Sequence, residues 1–157
     1  MNIFILDTNI KKCVRYHCDQ HVVKMILESV QTMCTALNKK GFNTPYKSTH
    51  IKHPCVLWTE ESYDNFLWLS KSAYALNDEY RYRYEKDGDH KSINVLKEIT
   101  HSKYESLGRT EFVQAMLDKF KVPGDAVSAY QKFYLGEKMK FAKWTKRKAP
   151  YWIKDVS

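Results

Sequence analysis

His17, Gln20, His21, Lys24 and Glu28 are spaced so that, on a helix, imidazole, ammonium and carboxylate line up along one face. At about 100° of rotation per residue, His21 and Glu28 lie two turns apart and can look into the same cavity. A carboxylate flanked by histidine and lysine beside an apolar wall can have its proton affinity tuned, and can act as a general base or stabilise developing positive charge. Val22, Val23, Met25, Ile26, Leu27, Val30, Met33, Cys34 and Leu37 supply that wall, filling an arc of roughly 200°. A stripe that broad predicts a central, well-buried helix. Gln31, Thr32 and Thr35 extend the polar face, as they would on the solvated side of any amphipathic helix. The chemistry of the run from His21 through Lys24 to Glu28 is what sets it apart.

The spacing predicts this helix over about Cys13 to Asn38, stopped by Lys39, Lys40 and Gly41, since basic residues and a glycine make a good C-terminal signal. Ahead of it, Ile3 to Leu6 is β-prone and is closed by Asp7, Thr8 and Asn9, which predicts a short strand or a buried extended arm. Residues 42–53 read as a polar loop. Pro54 then opens a second long helix, because a proline in the first turn loses no intrahelical hydrogen bond. Trp58, Phe66, Leu69, Ala73, Leu76 and Tyr80 form its inner face, and Asp87 and Gly88 mark its end. A third helix is expected from Lys91 to about Leu107, with Ile93, Leu96, Ile99 and Tyr104 inward. Thr110 and Asp125 are candidate N-caps for a short helix over 111–120 and a longer one over 126–143. No linker divides the chain, so the expectation is a mainly α, compact single-domain helical fold over 1–157, ending in a basic aromatic tail at 143–157.

A chain of 157 residues that is 43% apolar and 14% aromatic is expected to bury one hydrophobic core. Its 26 Lys and Arg against 18 Asp and Glu leave a formal charge of +8, an excess that favours polyanionic partners, nucleic acid first among them. No apolar stretch reaches the roughly 18 residues needed to span a bilayer, and the N-terminal apolar run meets Asp7 too early for a signal peptide. A cytoplasmic protein with no membrane partner is therefore expected, in the host cytoplasm if the chain is viral. Cys13, Cys18, Cys34 and Cys55 are too few for a disulfide scaffold and read as thiols in a reducing compartment.

At the chemical stripe the sequence resembles a known family. Asp19-Gln20-His21, with Glu28 seven positions after the histidine, is similar to the first helix of the phage pyrimidine-dimer DNA glycosylases, also called endonuclease V. His53-Pro54 ahead of a long aromatic helix is a second echo. The C-terminal Lys146-Arg147 and Pro150-Tyr151-Trp152 are a third. The resemblance implies a compact helical DNA repair hydrolase that flips a nucleotide out of double-stranded DNA and breaks the glycosidic bond of a damaged or modified base. It implies a catalytic role for the glutamate matching Glu28 and a place in the same site for the histidine matching His21. The family's nucleophile is a main-chain amine exposed when the initiator Met is removed. Here Asn2 is too bulky for ready removal of Met1, and the arm before the helix is longer, so on the sequence alone water stands in for the amine at Glu28.

Such an enzyme needs a carboxylate facing the sugar, with Lys24 as nearby positive charge, and cations for phosphate. His17, Lys47, Lys52, Arg81, Arg83, Lys146, Arg147 and Lys148 are the candidates for nucleic-acid contact. Trp152 is the candidate stacking surface, with Tyr46, Tyr80, Tyr82, Tyr84 and Trp144 interleaved. No cofactor is expected. Two rivals stand beside this reading: a non-enzymatic nucleic-acid-binding or inhibitor protein, and an enzyme acting on free nucleotides or modified bases. A metal site is a further competitor, since His17 and His21 are four apart near Cys13 and Cys18, and His50, His53 and Cys55 cluster. The spacings match no structural zinc module, and none is expected.

Overall fold

The computed structural model describes residues 1–153, so the last four residues of the expected basic tail lie outside the described residues. Six α-helices follow one another: α1 (Ile10–Tyr16), α2 (Asp19–Lys39), α3 (Pro54–Glu61), α4 (Tyr63–Arg83), α5 (Ser92–Ile99) and α6 (Ala126–Phe133). Among the described residues no strand is formed. The mainly α fold expected from the sequence is what the chain adopts. Among the described residues no helix is long and apolar enough to cross a membrane.

The central element is α2, which packs against α4, α3 and α5. Its wide apolar stripe is the cause: Val22, Met25, Ile26, Val30, Met33, Cys34 and Leu37 are buried together. One continuous core also takes in the N-terminal arm, the inner faces of the other five helices, Tyr134 and Trp152. Gly41, at φ +93°, ends α2 in the left-handed region that its sequence signal predicted.

The β-prone start of the chain is an extended, buried arm. Ile3, Phe4, Ile5 and Leu6 are buried, so their peptide groups need partners that a sheet would otherwise supply. Side chains take that role. Asn2 Oδ1 accepts from the Ile3 amide at 2.7 Å, the Cys13 thiol donates to the Phe4 carbonyl, and Gln131 donates to the Leu6 carbonyl at 3.2 Å.

Both predicted long helices are broken. The first breaks at His17 and Cys18, whose backbones are extended. The break is held from outside: buried Arg83 donates to the Arg15 and His17 carbonyls at 2.8 and 2.7 Å, satisfying acceptors exposed where α1 ends. Asp19 opens α2, where a carboxylate suits the positive end of the helix, and accepts from Arg83 and from the Thr145 amide. The second break is at Ser62, whose hydroxyl accepts from the Asp64 amide and from the Leu107 amide at 2.9 Å.

That second contact explains why the helix predicted to run to Leu107 stops at Ile99, and why 111–120 is not a helix. Asn65 pairs with both backbone and side chain of Thr110, and the Trp58 indole donates to the Glu111 carbonyl at 2.9 Å. The main chain after α5 is thus bound to the caps of α3 and α4, and only a short turn at Asp118–Phe120 remains helical. Asp125 does cap α6, accepting from the Ser128 amide at 3.0 Å. Beyond Phe133 the helix widens into a π-helical turn over Tyr134–Lys138, well short of the expected 143.

Candidate active site

The structure brings Glu28, His21 and Lys24 to one cleft, of about 200 Å³, and adds Met1, Phe4, Phe133 and Lys138 to its walls. The helix α2 supplies the first three from successive turns of one face. The buried arm brings Met1, because burial of Ile3 to Leu6 fixes its path across α2. The π-helical turn brings Lys138. Single π turns of this kind recur at functional sites because they re-aim side chains that a regular helix would point elsewhere.

The α-amine of Met1 lies 3.0 Å from Glu28 Oε1, and the Glu28 side chain is 23% exposed. Met1 buries its side chain to 2% exposure while the residue as a whole is only half-buried, so what it presents to solvent is its backbone end. Amine and carboxylate therefore meet at the mouth of the cleft.

His21 is fixed in both orientation and protonation. Its ring stacks on Phe4 at 4.3 Å, and its Nδ1 lies 2.5 Å from the Tyr134 hydroxyl. The same hydroxyl accepts from the Cys18 amide at 3.3 Å and faces the Cys18 thiol. Burial, reinforced by His17, Lys138 and Lys24, pulls the imidazole down to about 3. At neutral pH His21 is thus uncharged, with Nδ1 held against the Tyr134 hydroxyl. Lys138 lies 5.0 Å from the Phe133 ring centroid and 5.9 Å from that of Phe4, so its charge stands on an aromatic shelf.

His53, quoted for the second echo, caps α3 by accepting from the Cys55 amide at 3.0 Å. Its proton affinity is lowered by burial and then by the Met1 amine and His50, against Glu28 and a hydrogen bond to the Met1 backbone. It thus borders the amine end of the cleft. Lys138 and Tyr134 were not among the sequence candidates and lie only near the lysine-rich end of the predicted last helix, whereas the main-chain amine, set aside on the sequence because of Asn2, stands in the cleft as the Met1 amine.

Several candidates for nucleic-acid contact are elsewhere engaged. His17 is 2% exposed, with Nδ1 against the Cys13 carbonyl at 2.8 Å, and burial pulls it down to about 4, so it cannot meet a phosphate. The Arg83 side chain is 0% exposed and bound to Glu79, Asp19 and the end of α1. Trp152 is 8% exposed and packs edge-on against Tyr16 and Tyr134, so it is core and not a stacking surface. Arg147 is half-buried and grips Glu79 through Nε and Nη2 at 3.2 and 2.7 Å. Burial opposes ionisation of Glu79, but the hydrogen bonds from Arg147 and Arg83 outweigh it and hold the carboxyl below its ordinary range. Lys47, Lys52, Arg81, Lys146 and Lys148 are exposed, Arg81 paired with Asp89 and Lys146 with Glu85. These cations do not converge on the Glu28 cleft, whose lining holds Lys24 and Lys138 instead.

Among the described residues no group of three His, Cys, Asp or Glu could hold a metal ion. The buried thiols face oxygen acceptors, Cys13 toward Phe4 and Cys55 toward Asn2. Burial pushes Cys13 up to about 11 and Cys55 up to about 12, which disfavours the thiolate a metal would bind.

Family models, curated proteins and solved structures offer no match to this chain. The likeness to the glycosylase helix rests on the quoted residues alone.

Proposed function

We propose that the Glu28 cleft is the reaction site of a nucleic-acid-acting enzyme, a DNA N-glycosylase that removes a damaged or modified base and uses the Met1 amine as its nucleophile. The observation that carries this reading is the Met1 amine 3.0 Å from Glu28 Oε1 at the mouth of a cleft. Retention of Met1 ahead of Asn2, which on the sequence argued against an amine, here leaves an amine in contact with the carboxylate.

In this reading Glu28 accepts a proton from the Met1 ammonium, and the freed nitrogen attacks C1′ of the sugar. The C1′–N bond to the base breaks, its electron pair leaves with the base, and the base takes up a proton. Loss of a proton from the attacking nitrogen and opening of the C1′–O4′ bond, with O4′ protonated, leaves an imine to Met1 that water can hydrolyse. Handing the proton taken from Met1 on to the departing base returns Glu28 to its negative form, which then stabilises the positive charge of the imine. His21, Lys24 and Lys138 offer a neutral imidazole and two cations to the sugar or its phosphates.

Incubating the protein with ultraviolet-damaged, modified and undamaged duplexes, with and without borohydride, tests the reading. It expects base release from one damaged or modified duplex and a reduced covalent adduct on the Met1 peptide. It also expects both to vanish when residues are appended ahead of Met1. Base release without an adduct would return water to the nucleophile's place. Neither product from any duplex would leave the amine and Glu28 as a tether for the arm and favour a non-enzymatic binding protein.

A further inference from the structure

A second concavity lies between α1 and α4, with a volume of about 540 Å³ and no lining residue in common with the Glu28 cleft. Lys11 and Arg15, four apart, come from one face of α1, while Lys71, Ala75, Asp78 and Tyr82 recur along the facing side of α4. Val14 and Ala75 give it an apolar floor.

Its charges are available. Among the described residues Lys11, Arg15 and Lys71 have no carboxylate at ion-pair distance, unlike Lys39, Arg81 or Lys146. Glu79, at one end, is already held by Arg83 and Arg147, which leaves Asp78 as the groove's uncompensated carboxylate against three free cations. At that same end the Arg147 guanidinium lies 4.3 Å from the centroid of the Tyr82 ring, which is 45% exposed. Glu79 occupies Arg147 Nε and Nη2, so Nη1 still has donors to offer.

We propose that this groove binds a nucleoside phosphate unit, with the phosphate against Lys11, Arg15 and Lys71 and the base against the Tyr82 and Arg147 pair. The net excess of two positive charges matches one phosphate dianion, the volume falls within the common range for small-ligand sites, and a flat π-rich wall suits a base. An acidic peptide fits less well. The main-chain groups of α4 along the groove are used within that helix, so an extended peptide would find little but side chains on this wall, whereas phosphate and base need nothing else.

The test is titration calorimetry of the full chain with a deoxynucleoside monophosphate, a single-stranded tetranucleotide, inorganic phosphate and an acidic peptide. Saturable, salt-sensitive binding of the monophosphate is expected. Replacing Arg15 and Lys71 together with Glu should weaken it at least tenfold, and Tyr82→Ala should weaken the nucleotide while sparing inorganic phosphate. Lys47→Glu, outside the groove, and Glu28→Gln, in the other cleft, should leave it unchanged, so this site stands or falls apart from the glycosylase reading. Tighter binding of the tetranucleotide that the double replacement abolishes would identify a nucleic-acid strand as the source; equal affinity would identify a free nucleotide. Arg15, Lys47, Lys71 and Tyr82 are exposed, and melting curves check that the variants fold. No saturable binding of either nucleotide, affinity of the double variant within twofold of the parent, or preference for the peptide would overturn the proposal.

Discussion

Replacing Glu28 with Gln separates chemistry from stability, because the two readings of this residue differ in size as well as in kind. The amide keeps the shape of the side chain and an oxygen that can accept from the Met1 amine at 3.0 Å, but it carries no charge and takes no proton. With the Glu28 side chain 23% exposed, the lost ion pair is worth less than about 1 kcal/mol. For a chain of this length that is a fall in Tm of no more than about 4 °C. Loss of an acid–base group costs about two to four orders of magnitude in turnover, or roughly 2.7 to 5.4 kcal/mol of barrier. The second effect therefore exceeds the first by a margin that a single experiment resolves. Single-turnover base release on whichever damaged or modified duplex the parent processes is the assay, with circular dichroism and a melting curve as controls. A normally folded Glu28→Gln protein that releases base within threefold of the parent rate would refute the reasoning.

Tyr134→Phe removes the hydroxyl that serves both the Cys18 amide and His21 Nδ1 in a buried setting, and should cost about 1–3 kcal/mol. Its specific signature is in nitrogen NMR: the His21 ring-nitrogen shifts should move when the hydroxyl against Nδ1 is lost, and unchanged shifts would count against that contact. Glu79→Ala leaves the fully buried Arg83 guanidinium without its closest carboxylate and should lower the urea midpoint by the equivalent of about 3 kcal/mol, the lower end for a broken buried pair because Asp19 remains at 3.2 Å. A change under about 1 kcal/mol would show that the network is dispensable. Burial lowers His17 to about 4 and His21 to about 3 in the fold, so below the ordinary histidine range the unfolded chain binds protons that the native state refuses. Their contribution is complete above about pH 6.5 and is lost as pH falls toward 4. Urea midpoints should be lower at pH 5 than at pH 7, and equal midpoints would contradict the buried, neutral state of both rings.

What the sequence by itself determined is the local and periodic part of the molecule. The apolar stripe of α2 made it the central helix, Pro54 opened α3, Asp125 capped α6, and Gly41 ended α2, because each signal acts within one or two turns of chain. The sequence also put His21, Lys24 and Glu28 on one face, and the cleft holds all three. Tertiary structure decided whatever depends on distant partners. The pattern running through His17 and Ser62 is as helical as its surroundings, and the breaks are held because Arg83 takes the His17 carbonyl and the Glu105 carbonyl takes the Tyr63 amide set free there. Arg83, Arg147 and Trp152 have the composition of a nucleic-acid surface, yet two of them are spent on Glu79 and the third on the core. A charge reads the same in a sequence whether it faces water or a buried carboxylate. The meeting of the Met1 amine with Glu28 was likewise beyond any local signal, since it follows from an extended arm folding across α2, a contact made by burial of Ile3 to Leu6 and carrying no period of its own.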